Sequence, residues 1–112
     1  MDCVFCKIIN GEIPSNKVYE DDKILAFYDL NPVAKVHFLV IPKEHICCAD
    51  KITSNNSGNI SYIFEKIPEI AKKAGITNGY RIINNCGDDA CQSVKHIHFH
   101  IIGGEKLPEN II

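Results

Sequence analysis

The seven residues His96-Ile97-His98-Phe99-His100-Ile101-Ile102 constrain this chain more than any other stretch. Imidazole and bulky apolar side chains alternate there with the two-residue period of a β-strand. That period sets His96, His98 and His100 on one face and turns Ile97, Phe99 and Ile101 to the other, toward a core. Side chains two apart stand roughly 6.6 Å from each other along a strand. A lone strand histidine is most often a hydrogen-bonded structural residue, and an alternating pair is a common zinc arrangement. Three in register point to a functional site. On this stretch alone the site is either a metal site or a metal-free catalytic one.

Charge limits how such a row ionises. Two imidazolium ions about 6.6 Å apart repel by roughly 2.5 kcal/mol at an effective dielectric of 20, which is nearly two pKa units. The row is therefore not fully protonated near neutral pH. Its middle member, with two neighbours, is the one expected to be uncharged when the site is empty.

The rest of the composition narrows the class. A chain of 112 residues has room for a single domain, 1–112, around one core. Hydrophobic content of 46% and charged content of 23% are ordinary for a globular protein, which argues against disorder. A net charge of -2 without a basic run argues against nucleic acid as a partner. No stretch approaches the ~20 apolar residues of a membrane span, and Met1-Asp2-Cys3-Val4-Phe5-Cys6 lacks the features of a signal peptide. The expected location is cytoplasmic. In a reducing compartment the six cysteines are expected to be free, which makes Cys3-x-x-Cys6 a metal or redox candidate. Cys47 and Cys48 are expected to be buried as small apolar residues.

Along the chain, Cys3 to Ile9 predicts a helical turn broken at Asn10-Gly11. Short strands are predicted at Val18 to Glu20 and Ile24 to Leu30, and a central buried strand at Val36 to Ile41, closed by Pro42. His37 is the one ionisable residue of that central strand, and so a second site candidate. Ile60, Ile63, Phe64, Ile67, Ile70, Ala71 and Ala74 form one helical stripe, which is core. Ser54 to Ser57 offers N-caps, Gly75 a stop, and Pro68 a kink or a lost ladder bond. Tyr80 to Asn84 predicts a strand, and a polar loop from Asn85 to Ser93 leads into the histidines. The pattern is α+β: a five-stranded antiparallel sheet with one long helix and one or two short ones.

Gln92-Ser93-Val94-Lys95-His96-Ile97-His98-Phe99-His100-Ile101-Ile102 resembles the His-φ-His-φ-His-φ-φ signature of the histidine triad proteins. Phe5-Cys6-Lys7-Ile8-Ile9, Glu12-Ile13-Pro14, Ala26-Phe27-Tyr28-Asp29 and His37 to Lys43 fall where the nucleotide-binding Hint branch of that family has them. The resemblance implies a purine nucleotide hydrolase or transferase acting at the α-phosphorus. Its substrates would be adenosine phosphoramidates, cut to AMP and an amine. By position, His98 matches the nucleophile that forms a nucleotidyl-histidine intermediate, and His100 the phosphate ligand and proton donor. His37 and His96 match the pair that supports the nucleophile. Asp29 matches the acid on the ribose hydroxyls, and Phe5, Ile8, Ile13, Phe27 and Leu30 match the purine pocket. Asn85, Gln92 and Ser93 match the polar groups on phosphate and leaving atom, Ser93 among the catalytic set. A homodimer is implied, with the sheets continuous across a two-fold axis.

The resemblance also implies a metal. Some triad proteins hold a structural zinc through an N-terminal CxxC, the histidine after the Pro-Lys strand end and the first triad histidine. These are Cys3, Cys6, His45 and His96 here. A closed Cys₂His₂ set makes such a zinc structural, so no catalytic metal is expected. Three features depart from the family pattern. Cys91 stands where Gly is usual before Gln92, Tyr28 stands where His is frequent, and the tail from Gly103 is shorter and lacks a Trp. The rival readings are a zinc hydrolase, a dinucleoside polyphosphate hydrolase, a nucleotide-binding or scaffold module with incidental activity, and a CxxC redox protein.

Overall fold

Two kinds of apolar spacing divide the chain between helices and sheet. The computed structural model describes residues 3–110. Expectations that rest on Met1, Asp2 or the last two residues of the tail lie outside them. Helix α1 spans Val4–Ile9, and the Cys3 side chain caps it by accepting from the Cys6 amide. The five strands are β1 Lys17–Glu20, β2 Ile24–Tyr28, β3 Val36–Pro42, β4 Tyr80–Ile83 and β5 Phe99–Gly103. The long helix α2 spans Ser57–Lys73 between β3 and β4. All pairings are antiparallel, in the order β1-β2-β3-β5-β4.

The pleat sorts the strand residues onto two faces. One face presents Ile24, Ala26, Phe38, Val40, Phe99 and Ile101 to the α2 stripe Ile63, Ile67, Ile70 and Ala71. The other presents Leu25, Phe27, Leu39 and Ile41 to Phe5 and Ile8 of α1 and to Cys3. The first face is sealed by a helix of 17 residues, the second by one of 6. That inequality is where the site arises, because His37, His98 and His100 alternate with core residues and so point to the face that α1 covers only in part.

Pro68 lies inside α2, which continues through it to Lys73. Gly75, with φ of 93°, follows the helix and lets Ile76 donate back to the Ala71 carbonyl. A second fastening lies at the other end of the helix. Asp21 accepts from the hydroxyls of Tyr19 and Tyr62 and from the amides of Lys23 and Ile24. Burial alone would raise its pKa, but those donors bring it down to about 2. The β1–β2 turn is thereby tied to α2.

Strands β1, β3 and β4 shift by one residue at one end from the sequence expectation, and two larger differences bear on the site. β2 ends at Tyr28, not Leu30, because Asp29 turns the chain by accepting the Asn31 amide at 2.8 Å. β5 begins only at Phe99, so His96 and His98 precede the ladder. The alternation of faces survives there, since Ile97 still packs with the α2-side core. Cys47 and Cys48 are half-buried. All six cysteines are free. Among the described residues, no helix is long and apolar enough to cross a membrane.

Candidate active site and metal centre

The histidines separate into two groups with different partners. His37 lies on β3 opposite Ile102, while His100 lies opposite Leu39. The two are thus diagonal neighbours on one face, within reach for long or ring side chains. His37 Nε2 stands 2.9 Å from His100 Nδ1. The Asp29 carboxylate lies beside both, 3.4 Å from His37 Nε2 and 4.0 Å from His100 Nδ1. The His98 ring packs edge-on to that of His100, with centroids 5.2 Å apart.

Hydrogen bonds assign the protons. The Val33 amide donates to His37 Nδ1 at 3.2 Å, so in the neutral ring Nε2 bears the hydrogen and donates it to His100 Nδ1. His100 then carries its own hydrogen on Nε2. His98 Nδ1 stands 2.8 Å from the His96 carbonyl. A carbonyl only accepts, so Nδ1 is protonated and the neutral His98 ring keeps a bare Nε2. The Asn84 amide donates to the His98 carbonyl at 2.9 Å and holds its main chain where the ladder has ended.

Burial disfavours charge on the pair. It is the main cause that lowers the pKa of His37, with Asp29 opposing. Burial likewise brings His100 down to about 4, helped by the neighbouring His98 and His37 and opposed by Asp29.

His96 belongs to the second group. Its Nε2 lies 2.8 Å from the Pro42 carbonyl and must donate to it, which leaves Nδ1 bare. That nitrogen is 3.2 Å from His45 Nδ1, 3.4 Å from Cys3 Sγ and 3.6 Å from Cys6 Sγ. His45 Nδ1 is 3.4 Å from Cys6 Sγ. A regular tetrahedron of zinc–ligand bonds has edges of about 3.3 Å between nitrogens and about 3.6 Å between nitrogen and sulfur. The four donors therefore fit a closed structural zinc site in distance, ligand type and tautomer. The Cys6 amide, 3.3 Å from Cys3 Sγ, supplies a hydrogen bond suited to a thiolate.

Asp29, His37 and His100 also lie close enough together for an ion. Their protons oppose it. Metal on His37 Nε2 would move the ring hydrogen to Nδ1, against the Val33 amide.

The remaining sequence candidates fall out unevenly. Phe5, Ile8 and Phe27 are buried together, with Ile13 packed at their edge. Phe5 stands edge-on to Phe27, His96 and His98, at centroid distances of 5.5, 5.9 and 5.1 Å. Leu30 stands apart from that cluster, 94% exposed. Gln92 is buried with its amide engaged by main chain, accepting from Gly87 and donating to the carbonyls of Cys47 and Val94. Ser93 is exposed and Asn85 half-buried in the loop that precedes the histidines. Cys91, where a glycine was expected, adopts φ of 58° in the left-handed region. Asn84, Val33 and Pro42 were missed, the last two because they act through main-chain groups that any residue other than proline at 33 would supply.

Comparison with known proteins gives the family. The HIT domain family matches residues 10–107, and the chain belongs to that family. A histidine triad protein from Clostridium difficile is 56% identical, superposes with a TM-score of 0.91 and is matched over 96% of this chain and 95% of its own. A HIT family hydrolase from Clostridium thermocellum gives 0.94 at 44% identity, over 99% and 97%. A 14 kDa zinc-binding protein of Zea mays is 42% identical over 93% of this chain and 83% of its own length.

Proposed function

We propose that this protein is a hydrolase of purine phosphoramidates, releasing AMP and an amine through a nucleotidyl-His98 intermediate. The observation that carries the proposal is the fixed tautomer of His98, whose Nδ1 is tied to the His96 carbonyl so that Nε2 is free to attack. The purine lies against Phe5, Ile8, Ile13 and Phe27, and Leu30, exposed and apart from that cluster, is left to the outer side of the base. Asp29 takes the ribose hydroxyls. Asn85, Gln92 and Ser93 line the phosphate side, Gln92 by holding the loop.

The protons balance in two displacements. The negative phosphoryl group offsets the burial that keeps His100 neutral in the empty site, so His100 is cationic in the complex. His98 Nε2 bonds to the α-phosphorus, the P–N bond breaks, and the amine leaves with its electron pair and the proton from His100 Nε2. Water then attacks the phosphorus and gives its proton to His100, and the P–N bond to His98 breaks. The His37 Nε2–H contact holds the neutral His100 of the empty site; once His100 is cationic its Nδ1 also bears hydrogen, and the Asp29 carboxylate 4.0 Å away favours that charge. The family relationship to proteins described as hydrolases supports this reaction type.

Two further features belong to the proposal. A structural zinc is held by Cys3, Cys6, His45 and His96, supported by the tetrahedral fit and by the zinc-binding relative. A two-fold dimer forms along the open edge of β4, where Ile82 and Ile83 are partly exposed.

Adenosine phosphoramidate and diadenosine polyphosphate offered side by side test the reading. Rapid AMP release from the first, with label trapped on His98, is expected. Preference for the second substrate, or turnover that survives His98→Ala, would refute it.

A further inference from the structure

One residue takes part in both histidine groups. The His96 ring is fully buried and fixed from both sides, with Nε2 on the Pro42 carbonyl and Nδ1 facing Cys3, Cys6 and His45. Its carbonyl, on the same residue, is the acceptor that holds His98 Nδ1. The next amide, that of Ile97, donates to the Ile46 carbonyl at 2.6 Å, beside His45. Position and direction of the His96 carbonyl therefore depend on where the His96 ring is held. A second tie runs through α1, since Cys3 and Cys6 bracket Phe5, whose ring leans on both His96 and His98.

From this geometry we infer that Cys3, Cys6 and His45 are positioning residues for the reaction. None of them needs to touch substrate. With zinc between them they fix the His96 ring, the ring fixes the His96 carbonyl, and the carbonyl keeps the hydrogen of His98 on Nδ1. Emptying the set removes the hold on His96 Nδ1 and the anchor at His45 beside Ile46, the His96 peptide shifts, and His98 then exchanges between its two neutral tautomers. The form with hydrogen on Nε2 has no lone pair there to attack phosphorus. The same event loosens α1 and with it the Phe5 wall. The two ties leave different kinetic marks: loss of the carbonyl lowers kcat, and loss of the wall raises KM.

The inference rests on the proposed reaction for its kinetic half but not for its spectroscopic half. Histidine ¹⁵N NMR of the nucleotide-free protein reads the His98 tautomer directly. Four samples are compared: zinc-loaded wild type, wild type stripped by chelator, His45→Ala and His45→Cys, the last retaining four donors. Zinc-loaded wild type and His45→Cys are expected to show His98 with Nδ1–H alone. The stripped protein and His45→Ala are expected to show a mixture, with kcat reduced about tenfold or more. His98 that stays in the Nδ1–H form in stripped protein, with kcat unchanged, would overturn the inference. Should stripping unfold the chain, the two His45 variants in zinc-containing buffer decide. Unfolding of His45→Ala there would also overturn it, by making the set a determinant of folding alone. If the tautomer follows the metal but no phosphoramidate is cut, the positioning stands and the proposed reaction fails.

Discussion

Two pairs of imidazoles lie on one side of this sheet, and they are built for opposite purposes. His45 and His96 stand with Nδ1 atoms 3.2 Å apart; His37 Nε2 and His100 Nδ1 stand 2.9 Å apart. Spacing does not tell them apart, since each belongs to a cluster compact enough for an ion. What lies behind the rings does. A carbonyl, that of Pro42, takes the far hydrogen of His96 and leaves a lone pair facing two thiols. An amide, that of Val33, occupies the far lone pair of His37 and leaves a hydrogen facing His100. The first arrangement suits a cation and the second a mobile proton. In both, a single main-chain group opposite the working nitrogen sets the chemistry.

The comparison can be broken most severely at the ring between the pairs. His98→Asn keeps a polar side chain but removes the ring proposed as nucleophile, and turnover is expected to fall on the order of 10⁴-fold. Zinc content should not change, as elemental analysis of the same sample would show. A joint loss of metal would mean that the two clusters are one site.

The next largest effect is on stability. His100 is brought from an ordinary 6.5 to about 4 by burial first and its histidine neighbours second. Between those values the unfolded chain binds more protons than the native one, so stability rises with pH there. The His100 contribution is fully present above about pH 6.5 and is lost as pH falls toward 4. Urea unfolding should show up to about 3 kcal/mol of this loss. In His100→Gln the slope over that window should flatten, and an unchanged slope would show that burial of His100 is not its source.

A sharper test swaps the character of the proton pair. Val33→Pro deletes the amide that faces His37 Nδ1, leaving that nitrogen free to carry hydrogen. Turnover is expected to drop about tenfold. The variant should also take up a second zinc by calorimetry, at Asp29, His37 and His100, where wild type takes one. Binding of one ion by both proteins would defeat the explanation given for the two clusters. The smallest effect is expected at Asn84, which holds the His98 carbonyl. Asn84→Val should lower kcat about fivefold with KM unchanged, in line with one neutral hydrogen bond of roughly 1 kcal/mol.

Much of this arrangement was visible in the sequence, and the reasons for what was not are physical. The alternation at 96–102 announces a site because three imidazoles on one face have no packing explanation. The strands at Val36 and Tyr80 and the stripe from Ile60 to Ala74 follow from periods of two and 3.6 residues. Cys3, Cys6, His45 and His96 were legible as a metal set only through family likeness, since their ring nitrogens and sulfurs meet across three separate segments. Which histidine faces which was not legible. The contact of His37 with His100 depends on β3–β5 register, a property of two strands together. The end of the ladder at Phe99 was equally hidden, because Ile97 and His98 look no less β-prone than the residues after them. Nor does any local signal distinguish Asn84, which bonds the main chain of His98, from Asn85 beside it.

The short α1 roof has an evolutionary consequence. With α2 alone securing one whole side of the sheet, the opposite side is free to vary. On the proposed reading, residues of α1 and of the segment from Asp29 to Val33 can be exchanged to admit a different base or amine while the α2-side core stays as it is. Diversification of substrates in such a scaffold should therefore be concentrated at the eaves of the sheet rather than in its timbers.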